Sequence, residues 1–146
     1  MKRKYLLVLF IVIGICSCRD KIDTGPQAVH YGEDVCERCR MIISDKRFAA
    51  QFINQKGEAV KFDDVGCMAD YMKEQGNAGQ KPLAVYVADF STGEWLDAEK
   101  AYYLRNPGLG SPMGYNIAAF GTEEEMNGSS FRKEGKEAGG FGDLVK

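Results

Sequence analysis

Two thiols and a thioether fall within six residues at Cys36-Glu37-Arg38-Cys39-Arg40-Met41, and that density of sulfur is the chemistry this chain offers. A third thiol, Cys67, follows Asp63-Asp64-Val65-Gly66, and a further thioether, Met113, stands in Ser111-Pro112-Met113-Gly114. Several uses compete for such a set. A redox dithiol needs its cysteines at a helix N-terminus after a strand, where the dipole lowers the nucleophile's pKa. Here no strand pattern precedes Cys36 and no helical stripe follows Cys39. Structural zinc needs a second half-site, and only Cys67 and His30 are left to complete an irregular Cys3His set. A plain disulfide leaves Cys67 odd and Met41 unexplained. A soft monovalent metal accounts for both sulfur types, because thiolate and thioether ligands together select Cu(I).

Cys67 and Met113 strengthen that reading by their positions. Cys67 falls in the first turn of an expected helix, where partial positive charge favours thiolate. At about 100° per residue it points away from the Val65, Met68, Ala69, Met72 stripe, so burial in that stripe does not account for it. Met113 sits in a turn without apolar periodicity; packing onto the core is the alternative for it. Met68, Met72 and Met126 have helical-face explanations. The Asp63-Asp64 pair reads as a helix N-cap and its neighbour rather than as acid–base machinery.

Composition narrows the field further. The chain has 146 residues, enough for one compact domain or two very small ones. Charged residues at 27% and hydrophobic residues at 45% exclude wholesale disorder. A formal net charge of -2, with no basic run beyond the first four residues, excludes a nucleic-acid partner. One histidine beside five cysteines and six methionines removes most histidine-based catalysis.

The chain opens on Met1-Lys2-Arg3-Lys4 and an apolar run at 5–15. That run is shorter than the roughly 20 residues a membrane-spanning helix needs, so it reads as an export signal. Ile15-Cys16-Ser17-Cys18 resembles a bacterial lipobox: residues 1–17 form a lipoprotein signal peptide and Cys18 carries the lipid. Cleavage removes Lys2, Arg3 and Lys4 and takes the formal charge from -2 to -5. The expected product is a mildly acidic body held at a membrane through several acyl chains, with residues 18–33 as a Gly-Pro-containing tether. Three thiols besides the lipidated one remain, an odd number for an oxidising envelope.

The elements that must position the sulfurs are short. Alternation over 49–54 and 59–63 predicts two half-buried strands around a Gln55-Lys56-Gly57 turn. Asp64 then caps the helix that bears Cys67, and residues 83–90 form the next strand. The second half reads similarly: strands within 94–105 and at 116–120, a helix from Thr122-Glu123-Glu124-Glu125 through about Lys133, and a last short strand at 141–145. The expected fold is α+β, two small β-β-α-β units sharing one core. Residues 34–90 make the first, with C-x-x-C-x-M; residues 91–146 make the second, with the P-M-G loop and a glycine-rich tail.

Taken in order, several segments resemble the NosL family, the accessory lipoproteins of nitrous oxide reductase. They are Cys36-x-x-Cys39-x-Met41-Ile42-Ile43, Arg47-Phe48-Ala49-Ala50-Gln51, Phe62-Asp63-Asp64-Val65-Gly66-Cys67-Met68 and Val87-Ala88-Asp89-Phe90, followed by Trp95-Leu96-Asp97-Ala98, Pro112-Met113-Gly114 and Ala118-Ala119-Phe120. The resemblance spans about residues 34–120. It implies two β-β-α-β units and a non-catalytic copper carrier of the bacterial envelope, on the periplasmic or outer-surface side. It also implies delivery of Cu(I) to nitrous oxide reductase together with an ABC-type membrane complex. One departure is Arg40, where the family usually has glycine; a side chain there demands ordinary φ. Cys39 and Met41 are expected on one side of the ion and Met113 on the other, with Cys36 and Cys67 as supporting thiolates. An envelope thiol–disulfide oxidoreductase working through Cys36 and Cys39 is the alternative.

Overall fold

In the computed structural model residues 21–76 and 81–146 are described; the expected signal and Cys18 lie outside them. Strands β1 (Ala50–Ile53) and β2 (Ala59–Phe62) form a hairpin. Its turn closes through Gly57, whose φ of 82° suits a residue without Cβ. Helix α1 (Val65–Gln75) then crosses back, and β3 (Ala84–Ala88) pairs antiparallel with the other edge of β1. Strand β4 (Trp95–Asp97) joins β3, giving a four-stranded sheet of order β2-β1-β3-β4. The second sheet is β6-β5-β7, from β5 (Tyr102–Arg105), β6 (Ile117–Phe120) and β7 (Lys136–Glu137). Helices α2 (Glu123–Gly128) and α3 (Phe141–Leu144) complete the chain. Among the described residues no helix is long and apolar enough to cross a membrane.

The two sheets share one principal core. It joins Phe52, Phe62, Val87 and Met68 of the first half to Tyr103, Ile117, Phe141 and Leu144 of the second. Tyr71 of α1 packs its ring on Phe62 and Phe52 with centroids 5.3 and 6.1 Å away, which fixes the helix over the hairpin. A smaller apolar cluster, with Phe48, Leu104, Phe120 and Met126, fills the space under α2. The sheets meet where Phe90 N–H donates to the Ala119 carbonyl at 2.8 Å, with Asp89 and Ala119 bridged in parallel. Buried Asp89 reinforces that seam: one carboxylate oxygen accepts from the N–H groups of Ser91 and Thr92, the other from Gly121 N–H at 3.0 Å.

Several sequence expectations change in detail. Strand β1 is buried throughout rather than alternately, because the expected tether is not loose. Gln27 lies against the sheet, its N–H donating to Gln51 Oε1 and its carbonyl accepting from Gln51 Nε2, both at 2.9 Å. That exchange satisfies a buried amide which would otherwise be costly. The span 94–105 holds two strands in different sheets, so the first sheet runs to Asp97. Helix α2 begins at the expected Thr122 capping box but ends at Gly128, before residues whose glycine and serine content favours turns. The last segment is helical, not extended: Phe141 and Leu144, three apart, both turn inward.

Replacing Asp89 by alanine strands three N–H donors at the seam, so a loss of about 1–3 kcal/mol is expected. Urea unfolding of the metal-free protein measures it.

Candidate metal centre

Three segments converge at the N-terminus of α1. The first is the turn carrying Cys36, Cys39 and Met41. Val35 and Ile42 bridge at its base, Cys36 N–H donates to the Met41 carbonyl at 2.8 Å, and Arg40 N–H donates back to the Cys36 carbonyl at 3.1 Å. Glu37 N–H donates to the Lys61 carbonyl at 2.9 Å and so fastens the turn to β2. The second is Asp63-Asp64 with Cys67 on the helix. The third is the P-M-G loop: Ser111 Oγ and Met113 N–H both donate to Asp64 Oδ2, at 2.5 and 3.4 Å. Asp64 therefore holds the Met113 loop while its other oxygen accepts from Gly66 N–H and caps the helix.

At the meeting point the ligand atoms of Cys36, Cys39, Asp63 and Cys67 all lie within 4.8 Å of one another. The three cysteines are free thiols. Cys36 and Cys67 are buried and Cys39 is half-buried, leaving a single partly open side. Asp63 Oδ2 accepts from the Cys39 thiol at 3.4 Å, whereas Oδ1 is buried without a partner. A buried carboxylate oxygen left without a donor is costly, and a cation is the partner its chemistry fits.

The electrostatics follow from this crowding. Cys36 is held down to about 4, chiefly because the Cys67 thiol donates to it, with the Cys39 and Asp63 N–H groups adding donors. Cys67 is pushed up because it gives that hydrogen bond and sits among negative groups. Burial pushes Cys39 up to about 11 and Asp63 up to about 6. Without a cation Cys36 is the group that ionises first while the Cys39 and Cys67 thiols keep their protons, and a bound metal displaces them.

The structure brings Cys36, Cys39 and Cys67 together, but through physics the sequence reading did not foresee. Cys67 is fully buried against the other two thiols, and its thiol is held protonated despite the helix terminus. Met41 and Met113 remain 58% and 40% exposed, the first tied through its carbonyl to Cys36 of the cluster and the second through its N–H to Asp64 beside it. Arg40 does not take ordinary φ; it sits at 63°, the left-handed conformation natural to glycine. The surrounding turn bonds impose it, and the side chain reaches Glu37 across the turn. Asp63 is the residue that sequence reasoning missed: only Asp64 caps the helix. The signal available was a second carboxylate at a position where one cap suffices. His30 is not part of the cluster.

Fold and centre together define a small α+β protein with a largely buried cluster of three thiols and a carboxylate that could hold a metal ion. The chain belongs to the NosL family, whose model matches residues 28–144. The crystal structure of the copper chaperone NosL from Shewanella denitrificans has the same fold, with a TM-score of 0.65 at 18% identity. That match covers 79% of this chain and 92% of the other. No curated protein matches the chain significantly.

Two outcomes are expected. Asp63 stabilises the metal-free fold fully only below its ordinary pKa of 3.8, and that contribution is lost as pH rises through about 6. Metal-free Asp63→Asn should therefore exceed wild type in stability at pH 8 by on the order of 2 kcal/mol, with the gap closing toward pH 4 in denaturant titrations. At Arg40, valine should cost about 1–2 kcal/mol because a β-branched side chain opposes positive φ, while Arg40→Gly should cost nothing measurable in the same assay.

Proposed function

We propose that the protein is a Cu(I) carrier of the bacterial envelope, anchored through a lipid on Cys18 and supplying copper for assembly of nitrous oxide reductase. The observation that carries this reading is the convergence of three free thiols within 4.8 Å, with Asp63 beside them. Thiolates favour Cu(I) over harder ions, and membership of the NosL family, one member of which is described as a copper chaperone, agrees with that chemistry.

A carrier needs affinity and exchangeability together. Thiolate sulfur from Cys36, Cys39 and Cys67 supplies the affinity. Met41 and Met113, exposed and neutral, are weak ligands that an incoming sulfur can replace before the thiolates let go. Two- or three-coordinate Cu(I) with one open side permits such an exchange. The receiving machinery is an ABC-type membrane complex working with the reductase. The task is delivery rather than catalysis. The wholly buried Cys36 and the absence of a helix at the C-x-x-C turn weigh against the dithiol oxidoreductase reading, since that nucleophile must be reached by a substrate disulfide.

Anaerobic titration against a chromogenic Cu(I) chelator tests the reading. One equivalent should bind; Cys39→Ser and Cys67→Ser should each weaken it by roughly tenfold or more, about 1.4 kcal/mol. Met41→Leu and Met113→Leu should keep most of the affinity but slow transfer to a thiol acceptor. Full affinity in both cysteine variants would remove the cluster from the proposal, and unchanged transfer in both methionine variants would remove the thioethers.

A further inference from the structure

Arg38 lies between Cys36 and Cys39, yet its side chain leaves the turn. Its Nη1 donates to the Tyr115 hydroxyl at 2.9 Å, and its Nε and Nη2 donate to Glu74 Oε1 at 3.2 and 2.8 Å. Nη2 also stands 3.5 Å from Asp70 Oδ2, the same oxygen that accepts from the Tyr115 hydroxyl. Three stretches distant in sequence are thus knotted together: the C-x-x-C turn, the outer turns of α1, and the segment just past Met113. Among the described residues no other side chain of the Cys36–Met41 turn hydrogen-bonds to the Met113 segment.

Tyr115 is fitted closely to this place. Its ring covers Gly66, where an added Cβ would lie 2.0 Å from Tyr115 Cγ. The loop therefore has two fastenings of different kinds. Ser111 and the Met113 N–H are tied to Asp64, which is buried and also caps the helix. Tyr115 is tied to Arg38 and Asp70, partly exposed side chains that solvent can reach. The first fastening behaves as a hinge and the second as a catch, with Met113 between them.

We propose that Arg38 is a positioning residue, and that its bond to Tyr115 latches the Met113 loop to the thiol turn so that Met113 shares the ion held by Cys36, Cys39 and Cys67. The inference rests on the carrier reading above and deepens it. Released from Arg38, the loop keeps its attachment at Asp64 but no longer holds the thioether against the turn. The thiols are untouched, so binding persists while one ligand is lost. An arginine is suited to this task because its planar fork engages a hydroxyl and two carboxylates at once.

The experiment uses the full chain in detergent with 13C-labelled methionine methyl groups, the Met41 and Met113 signals being assigned from their leucine variants. With one equivalent of Cu(I), both methyl resonances of wild type should move. In Arg38→Gln and in Tyr115→Phe, which keeps the ring over Gly66, the Met113 shift should fall below half while the Met41 shift persists. Circular dichroism of the metal-free variants establishes that they fold, and Tyr115→Phe serves if Arg38→Gln does not. Folded variants with an undiminished Met113 shift overturn the latch, as does an equal fall of both shifts, which marks general loosening. A copper-loaded wild type whose Met113 methyl does not move also overturns it. A wild type that takes up no Cu(I) overturns the carrier reading instead, and the latch with it.

Discussion

Four groups that each tend toward negative charge meet in an almost dry space at the head of α1, and their mutual repulsion governs the surrounding structure. Cys36, Cys39, Asp63 and Cys67 cannot all ionise within 4.8 Å of one another unless a cation joins them. The fold's interim answer is to let one thiol ionise and to use the other protons as hydrogen bonds toward it. That arrangement is poorly satisfied, since one oxygen of Asp63 has no donor at all. A native state that leaves such a group unpaired holds it in place by force from elsewhere: the turn bonds around Cys36 and Met41, the helix cap at Asp64, and the aromatic packing of Phe52, Phe62 and Tyr71. Strain of this kind collects at functional sites because surrounding packing over-determines the geometry.

Asp64 shows how little material does the positioning. One carboxylate caps α1, receives Ser111, and accepts the Met113 N–H. The helix that carries Cys67 and the loop that carries Met113 thus share a buried anchor at Asp64, although they lie far apart in the chain. Arg40 shows the other side of the same economy. The turn needs a left-handed residue to bring Cys36 and Met41 back within one hydrogen bond, and this chain accepts an arginine in that conformation.

Much of this was legible in the residues, and the failures have physical causes. The hairpin, α1 and β3 were readable because period-two alternation and a capped 3.6-residue stripe are local signals. That Cys36, Cys39 and Cys67 could serve one site was readable because clustered thiols have few competing uses. Asp63 was not, since one carboxylate beside a helix cap looks the same whether it faces solvent or a thiol. Cys67 was misjudged electrostatically: the helix terminus favours a thiolate, but a nearby thiolate on Cys36 outweighs it, and that neighbour is set by tertiary folding. The final segment and the docking of Gln27 were hidden for a similar reason. Phe141 and Leu144 are equally compatible with a short strand until the sheet they cover is known. A polar stretch looks like a leash until a buried Gln51 is found needing its backbone.

That docking has a geometric consequence. The Ile22 side chain lies against the hairpin turn, where a Cβ on Gly57 would come within 2.7 Å of it. The Asn54–Glu58 turn is the far end of the hairpin from Asp63, at the end of β2 that enters α1. The described chain thus meets the first sheet at its tail, at the opposite end of the hairpin from the thiols, like the handle of a tool set opposite its working end.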